Sequence, residues 1–212
     1  MSFQMYVPTR ILFGAGQLKH LHEQAMPGTK ALIIISNGKS TIENGALSRT
    51  QEELEKAGIP FVVFNKIMAN PLKSTVMEGA ACARENGCDF IVALGGGSVM
   101  DASKAIAAMA TNDGDLWDYV AGGTGKALPL KEEPLPIIAV TTTAGTGSEV
   151  DQYGVISNDE TKEKIGFGGY DSLFPRIAVV DPELMTSVPP KFTAYQGFDA
   201  LFHSVECYIA AP

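Results

Sequence analysis

Three groups of residues in this chain have the types and spacing to do chemistry. The first is Gly95-Gly96-Gly97-Ser98, directly after the apolar run 90–94 and at the start of a segment carrying Asp101 and Lys104. Glycines let backbone amides come close to a ligand, and a helix starting there offers free N–H groups and a positive dipole end, which suits a diphosphate. The same residues also read as a plain helix start, with Ser98-x-x-Asp101 as a capping box. The spacing is not G-x-G-x-x-G, and Gly14-Ala15-Gly16 does not supply that pattern, because Lys19 stands where a third glycine is needed; those two glycines read as a turn.

The second group is Thr142-Thr143-Ala144-Gly145-Thr146-Gly147-Ser148-Glu149, after the apolar run 137–140. Its hydroxyls suit hydrogen bonding to ribose, phosphate or an amide, although a polar loop with capping side chains has the same composition. Two such loops on one sheet edge carry more weight than either alone. The third group is Asp199 and His203, four apart on an amphipathic segment, so both project from one helix face. They suit a shared divalent metal or a simple helical ion pair, and a metal site normally needs a third or fourth ligand.

The elements that must position these groups alternate. Short apolar runs at 31–35, 61–64, 90–94 and 137–140 read as strands, and 41–57 and 72–86 as helices stopped by Gly58 and Gly87. This order predicts βαβ units and a doubly wound parallel sheet. Residues 155–157 and 165–167 read as an antiparallel hairpin, 177–180 as a further strand, and Pro189-Pro190 as a domain boundary. In the helix that follows, Phe198, Leu201, Phe202, Val205, Tyr208 and Ile209 recur at steps of three and four. That stripe needs a covering surface, and the expectation is that the chain is the front half of a longer protein. His20 and His22 read as surface residues on different helix faces.

The chain is 45% apolar and 19% charged, which suits a soluble domain with a real core. Lysine and arginine number 16 against 24 acidic residues, a formal charge of −8, so neither nucleic acid nor an anionic membrane is an expected partner. The purely aliphatic runs are far shorter than the roughly 20 residues of a bilayer span. The N-terminus lacks the pattern of a secretory signal, and a cytoplasmic location is expected. Cys82, Cys88 and Cys207 form no C-x-x-C pair, and reduced, mostly buried thiols are expected.

Five blocks together resemble the N-terminal half of an iron-containing (group III) alcohol dehydrogenase: FGAG at 13–16, GGGSVMDASK at 95–104, TTAGTGSEV at 142–150, VDPEL at 180–184 and PPKFTAYQGFDALFHSVE at 189–206. The resemblance covers essentially all of the chain. It implies an α/β, Rossmann-like, doubly wound and mostly parallel domain over 1–188, then the first helix of an all-helical metal-binding domain over 189–212. It implies cofactor contacts from Gly95, Gly96, Gly97, Ser98, Asp101, Thr142, Thr143, Thr146 and Lys164. Asp199 and His203 match metal ligands, the family's other two being histidines on later helices. Many relatives that prefer NAD carry an aspartate after the strand at 31–35, to accept from the ribose 2′-OH. Here Ser36-Asn37-Gly38 stands there with Lys39 beside it, so Asn37 is an expected cofactor contact with a lean to NADP or to dual use. Asn37 also suits a turn.

The implied activity is metal-dependent hydride transfer between NAD or NADP and a small primary alcohol or diol. The metal is Fe(II), with Zn(II) also suited to an aspartate–histidine pair. A homo-oligomer, dimer or larger, is the expected assembly, with 5–13 as a possible joining strand. A rival from another reaction class is a dehydroquinate-synthase-like, NAD- and metal-dependent lyase, against which TTAGTGSE and the D-x-x-x-H setting argue. A second rival is an inactive, truncated nucleotide-binding fragment.

Overall fold

A computed structural model describes residues 4–210 of the protein. Its centre is a six-stranded sheet, built from β1 (Arg10–Phe13), β2 (Ala31–Ser36), β3 (Phe61–Ile67), β4 (Phe90–Gly95), β5 (Ile137–Thr141) and the last strand, Ile177–Val180. The central strands are runs of Ile, Val, Leu and Ala with no polar alternation, and they are buried on both faces. That composition fits a parallel sheet covered on two sides, and every pairing in it is parallel.

Alternation along the strands splits the core in two. Ile33, Ile35, Val92, Leu94 and Val140 pack with Leu54 of α2 (Ala46–Lys56) and with Leu18 and Leu21 of the short turn Gln17–Glu23. Leu32, Ile34, Ile91, Ala93 and Ala139 pack on the opposite face, against Val76 and Ala80 of α3 (Lys73–Glu85) and Ala102 and Ile106 of α4 (Gly97–Thr111). Each of the Ile, Leu and Val side chains among these, fully buried, contributes about 1.5–3 kcal/mol.

The helix expected over 41–57 is instead two: α1 (Ser40–Glu43) and α2. The break is local turn chemistry. Gly45 sits at φ 76, where a side chain is strained, and the Asn44 carboxamide accepts from the Ala46 N–H at 3.0 Å. After α5 (Leu116–Tyr119) and β5, the hairpin forms as expected from β6 (Tyr153–Ser157) and β7 (Lys164–Gly168), antiparallel and separate from the main sheet. The sixth sheet strand is then β8 (Ile177–Val180), which seats β1 at its outer side.

The chain runs from β2 outward to β3, returns past β2 to β4, and continues in the other direction to β5 and β8. The winding therefore reverses between β2 and β4, which opens a crevice at their carboxyl ends. The final helix, α6 (Pro190–Ile209), lies beside it, and none of its side chains is buried. The apolar stripe from Phe198 to Ile209 is exposed.

Two expectations on single residues are corrected. His22 is half-buried and its Nδ1 lies 2.5 Å from Glu53 Oε2, because α2 packs on the Gln17–Glu23 turn; His20 pairs locally with Glu23 at 3.0 Å. Of the thiols only Cys88 is buried; Cys82 is half-buried and Cys207 exposed on α6. No helix among the described residues is long and apolar enough to cross a membrane.

Candidate functional site

At the reversal of the winding lies an open cleft of about 620 Å³. Its floor is the carboxyl end of the sheet: Ser36 from β2, Ile67 to Ala69 after β3, the glycine bend after β4, and Thr143, Ala144 and Thr146 after β5. Its far wall is α6, through Phe192, Tyr195, Gln196 and Asp199.

The glycine bend is built for close approach. A Cβ on Gly95 would stand 2.6 Å from Val99 Cγ2, one on Gly96 2.7 Å from Thr143 Oγ1, and one on Gly97 2.9 Å from Thr146 Cγ2. Only glycine lets the bend nest against the threonine loop, and the Thr142 N–H donates to Gly95 O at 3.0 Å to join the two. Among the described residues no side chain caps the start of α4. The capping box read from Ser98-x-x-Asp101 is therefore not formed. What remains is an uncapped helix N-terminus with its positive dipole end facing a cleft, which fits a dinucleotide's diphosphate.

Asp101 faces the other way. Its Oδ1 accepts from Ser148 Oγ–H and its Oδ2 from the Val155 N–H, both at 2.9 Å. Burial pushes its carboxyl above the ordinary carboxylate range, against these hydrogen bonds and the Lys104 charge. Glu149, two residues before Asp151, is likewise raised by burial. Asp101 lines a smaller hollow of about 290 Å³ that also touches Ser98, Thr146, Tyr153 and His203.

Asn37 lies exposed just past β2, its N–H on Ile67 O at 2.8 Å, with neighbouring Ser36 in the cleft itself. Lys164 opens β7, and its Nζ donates to Asn70 Oδ1 at 2.7 Å. Asn70 follows the cleft residue Ala69 and holds a left-handed φ of 56.

Asp199 and His203 face each other across one turn of α6, with Oδ1 to Nε2 at 3.6 Å, and both are exposed. Asp199 belongs to the larger cleft and His203 to the smaller hollow, so the pair stands where the two meet. A carboxylate and an imidazole fit two positions of a divalent iron or zinc site. Among the described residues no cluster of three or more such donors exists. Sequence reasoning missed Gln196, whose Oε1 accepts from the Ala144 N–H at 3.1 Å and ties α6 to the threonine loop. Its position three residues before Asp199, on the same helix face, was the available signal.

A family model described as iron-containing alcohol dehydrogenase matches residues 8–182. The chain belongs to this family. The match takes in the glycine bend, the threonine loop and Lys164, while Asp199 and His203 lie past it. Among curated relatives, a choline dehydrogenase of Bacillus subtilis is 41% identical over 95% of this chain and 50% of its own length. A 1,3-propanediol dehydrogenase of Klebsiella pneumoniae is 40% identical over 99% of this chain and 54% of its own. The crystal structure of NADH-dependent butanol dehydrogenase A from Thermotoga maritima superimposes with a TM-score of 0.87 at 32% identity, over 97% of this chain and 50% of that one. The chain thus spans about half the length of these members of the iron-containing alcohol dehydrogenase family.

Proposed function

We propose that the protein transfers hydride between NAD or NADP and a small primary alcohol or diol, in the reverse direction reducing an aldehyde. The observation that carries this is the glycine bend, uncapped and pressed against the threonine loop at the reversal of the winding, with a carboxylate–imidazole pair on the opposite wall. The amides of Gly96, Gly97 and Ser98 receive the diphosphate, and the Thr143 and Thr146 hydroxyls bind beside it. Thr142 holds the two loops together through its backbone, Asn37 would meet the ribose, and Lys164 reaches Asn70, next to the cleft residue Ala69. When bound, the nicotinamide supplies the hydride acceptor and a divalent metal, iron or zinc, the Lewis acid. Asp199 and His203 would supply two of the metal's donors, carried by the α6 wall across the cleft from the glycine bend. Similarity to a 1,3-propanediol dehydrogenase and to an NADH-dependent butanol dehydrogenase supports this reading. We also read 189–212 as the start of a separate metal-binding domain, and the protein as a cytoplasmic homo-oligomer.

The test is binding followed by turnover. Titration with NADH and NADPH, followed by quenching of the single tryptophan, Trp117, should saturate. With iron(II), oxidised cofactor and 1,3-propanediol or butanol, the protein in its natural full length should generate the near-ultraviolet absorbance of reduced nicotinamide. Absence of saturable binding by either dinucleotide overturns the proposal.

A further inference from the structure

Below the glycine bend lies a buried ionic cluster for which hydride transfer provides no role. Lys104 is 1% exposed, and its three ammonium hydrogens meet three acceptors: Ser148 Oγ at 2.8 Å, Asp151 Oδ1 at 2.5 Å and Tyr153 O at 2.6 Å. Each acceptor belongs to a different piece of chain. Ser148 closes the threonine loop, Asp151 lies in the link that follows, and Tyr153 opens the hairpin. Ser148 in turn donates its hydroxyl to Asp101, whose second oxygen holds the Val155 N–H of β6. Both Asp101 and Lys104 sit on α4, one and two turns below Ser98. Burying an ammonium costs strongly unless every hydrogen is matched, as here, and apolar side chains would fill the same space without that cost. What apolar packing lacks is direction, because three matched hydrogen bonds admit one arrangement of the three pieces.

We propose that Lys104, Ser148 and Asp101 are positioning residues, which lock the threonine loop and the hairpin onto α4 and so fix the spacing of the two loops that receive the dinucleotide. At that spacing Gly96 lies against Thr143 and Gly97 against Thr146, so closely that a Cβ on either would clash. Burial drives the Lys104 ammonium down and the Asp101 carboxyl up, against their mutual attraction. The part concerning cofactor affinity rests on the dinucleotide reading above.

The experiment compares wild type with Ser148→Ala and Asp101→Asn by residue-resolved amide hydrogen exchange and by NADH titration. Lys104→Met is a third variant, but it strands two carboxylates and is the one most at risk of not folding. In Ser148→Ala and Asp101→Asn, the Val155 amide and those of 142–150 should exchange about tenfold faster while β2 and β4 keep their protection, and the NADH dissociation constant should rise about tenfold. Unchanged exchange in the loops overturns the proposal. So does a uniform rise that includes β2 and β4, which would mark a general stabilising role, and so does faster loop exchange with unaltered NADH affinity. If wild type binds neither NADH nor NADPH, the dinucleotide reading fails, and the exchange data still decide whether the cluster holds the loops.

Discussion

Glu163, outside the cleft, is held by several donors and makes a pH prediction. Its carboxylate accepts from Thr124 and Thr161 hydroxyls and from Trp117 Nε1, the last at 2.9 Å. The Thr124 and Thr161 hydroxyls, with Trp117 adding less, lower its pKa from 4.5 to about 2 against the cost of burial. A depressed folded-state pKa contributes stability above the unfolded value of 4.5 and loses it as pH falls toward about 2. Trp117 emission should therefore change across that window in wild type and stay flat across it in Glu163→Gln; coincident curves would discard the assignment. Asn37 carries a specificity prediction. On the proposed dinucleotide reading, Asn37→Asp would set a carboxylate beside the ribose, to accept from a 2′-OH and repel a 2′-phosphate. The ratio of kcat/KM for NAD over that for NADP should rise at least about tenfold, and an unaltered ratio would remove Asn37 from the site.

At the scale of elements, the strands at 31–35, 90–94 and 137–140 were legible because runs of β-branched and aliphatic residues have one stable use, a strand covered on both faces. The hairpin was legible from its two short apolar runs. The split between α1 and α2 was also written in the chain, as Asn44-Gly45, and was overrun because the apolar periodicity continues through it. The glycine bend and the threonine loop were legible as loops at strand ends. The partners of Asp101 and Lys104 were not, because they lie 44 to 54 residues away and no spacing rule connects them. The same holds for His22 and Glu53, 31 residues apart. How the hairpin sits on α4 yields a further prediction. A Cβ on Gly154 would meet Asp101 Cα at 2.8 Å and Asp101 O at 3.0 Å, backbone that cannot move aside. Gly154→Ala should cost about 1–3 kcal/mol in chemical denaturation, and a neutral result would show that the hairpin is looser than drawn.

At the scale of the molecule, the sheet and its two apolar layers form one cooperative body with the cleft at one edge. A ligand that engages β2, β4, β5 and α6 at once stabilises that body by mass action, about 2.7 kcal/mol at a concentration one hundred times its dissociation constant. For a chain of 212 residues this corresponds to a rise in Tm of roughly 5–10 °C, and scanning calorimetry with saturating NADH checks it. The strand order has a temporal consequence as well. Among the described residues Arg10–Phe13 has its only strand partner in Ile177–Val180, and buried Asp181 takes the Gly16 and Leu18 amides at 3.0 and 3.1 Å. During synthesis the first strand must therefore wait on the ribosome for the eighth, on the order of ten seconds or more at 5–20 residues per second. Until then the backbone N–H and C=O groups that Ile177–Val180 will pair stand open, an edge for chaperones to cover until the last strand arrives.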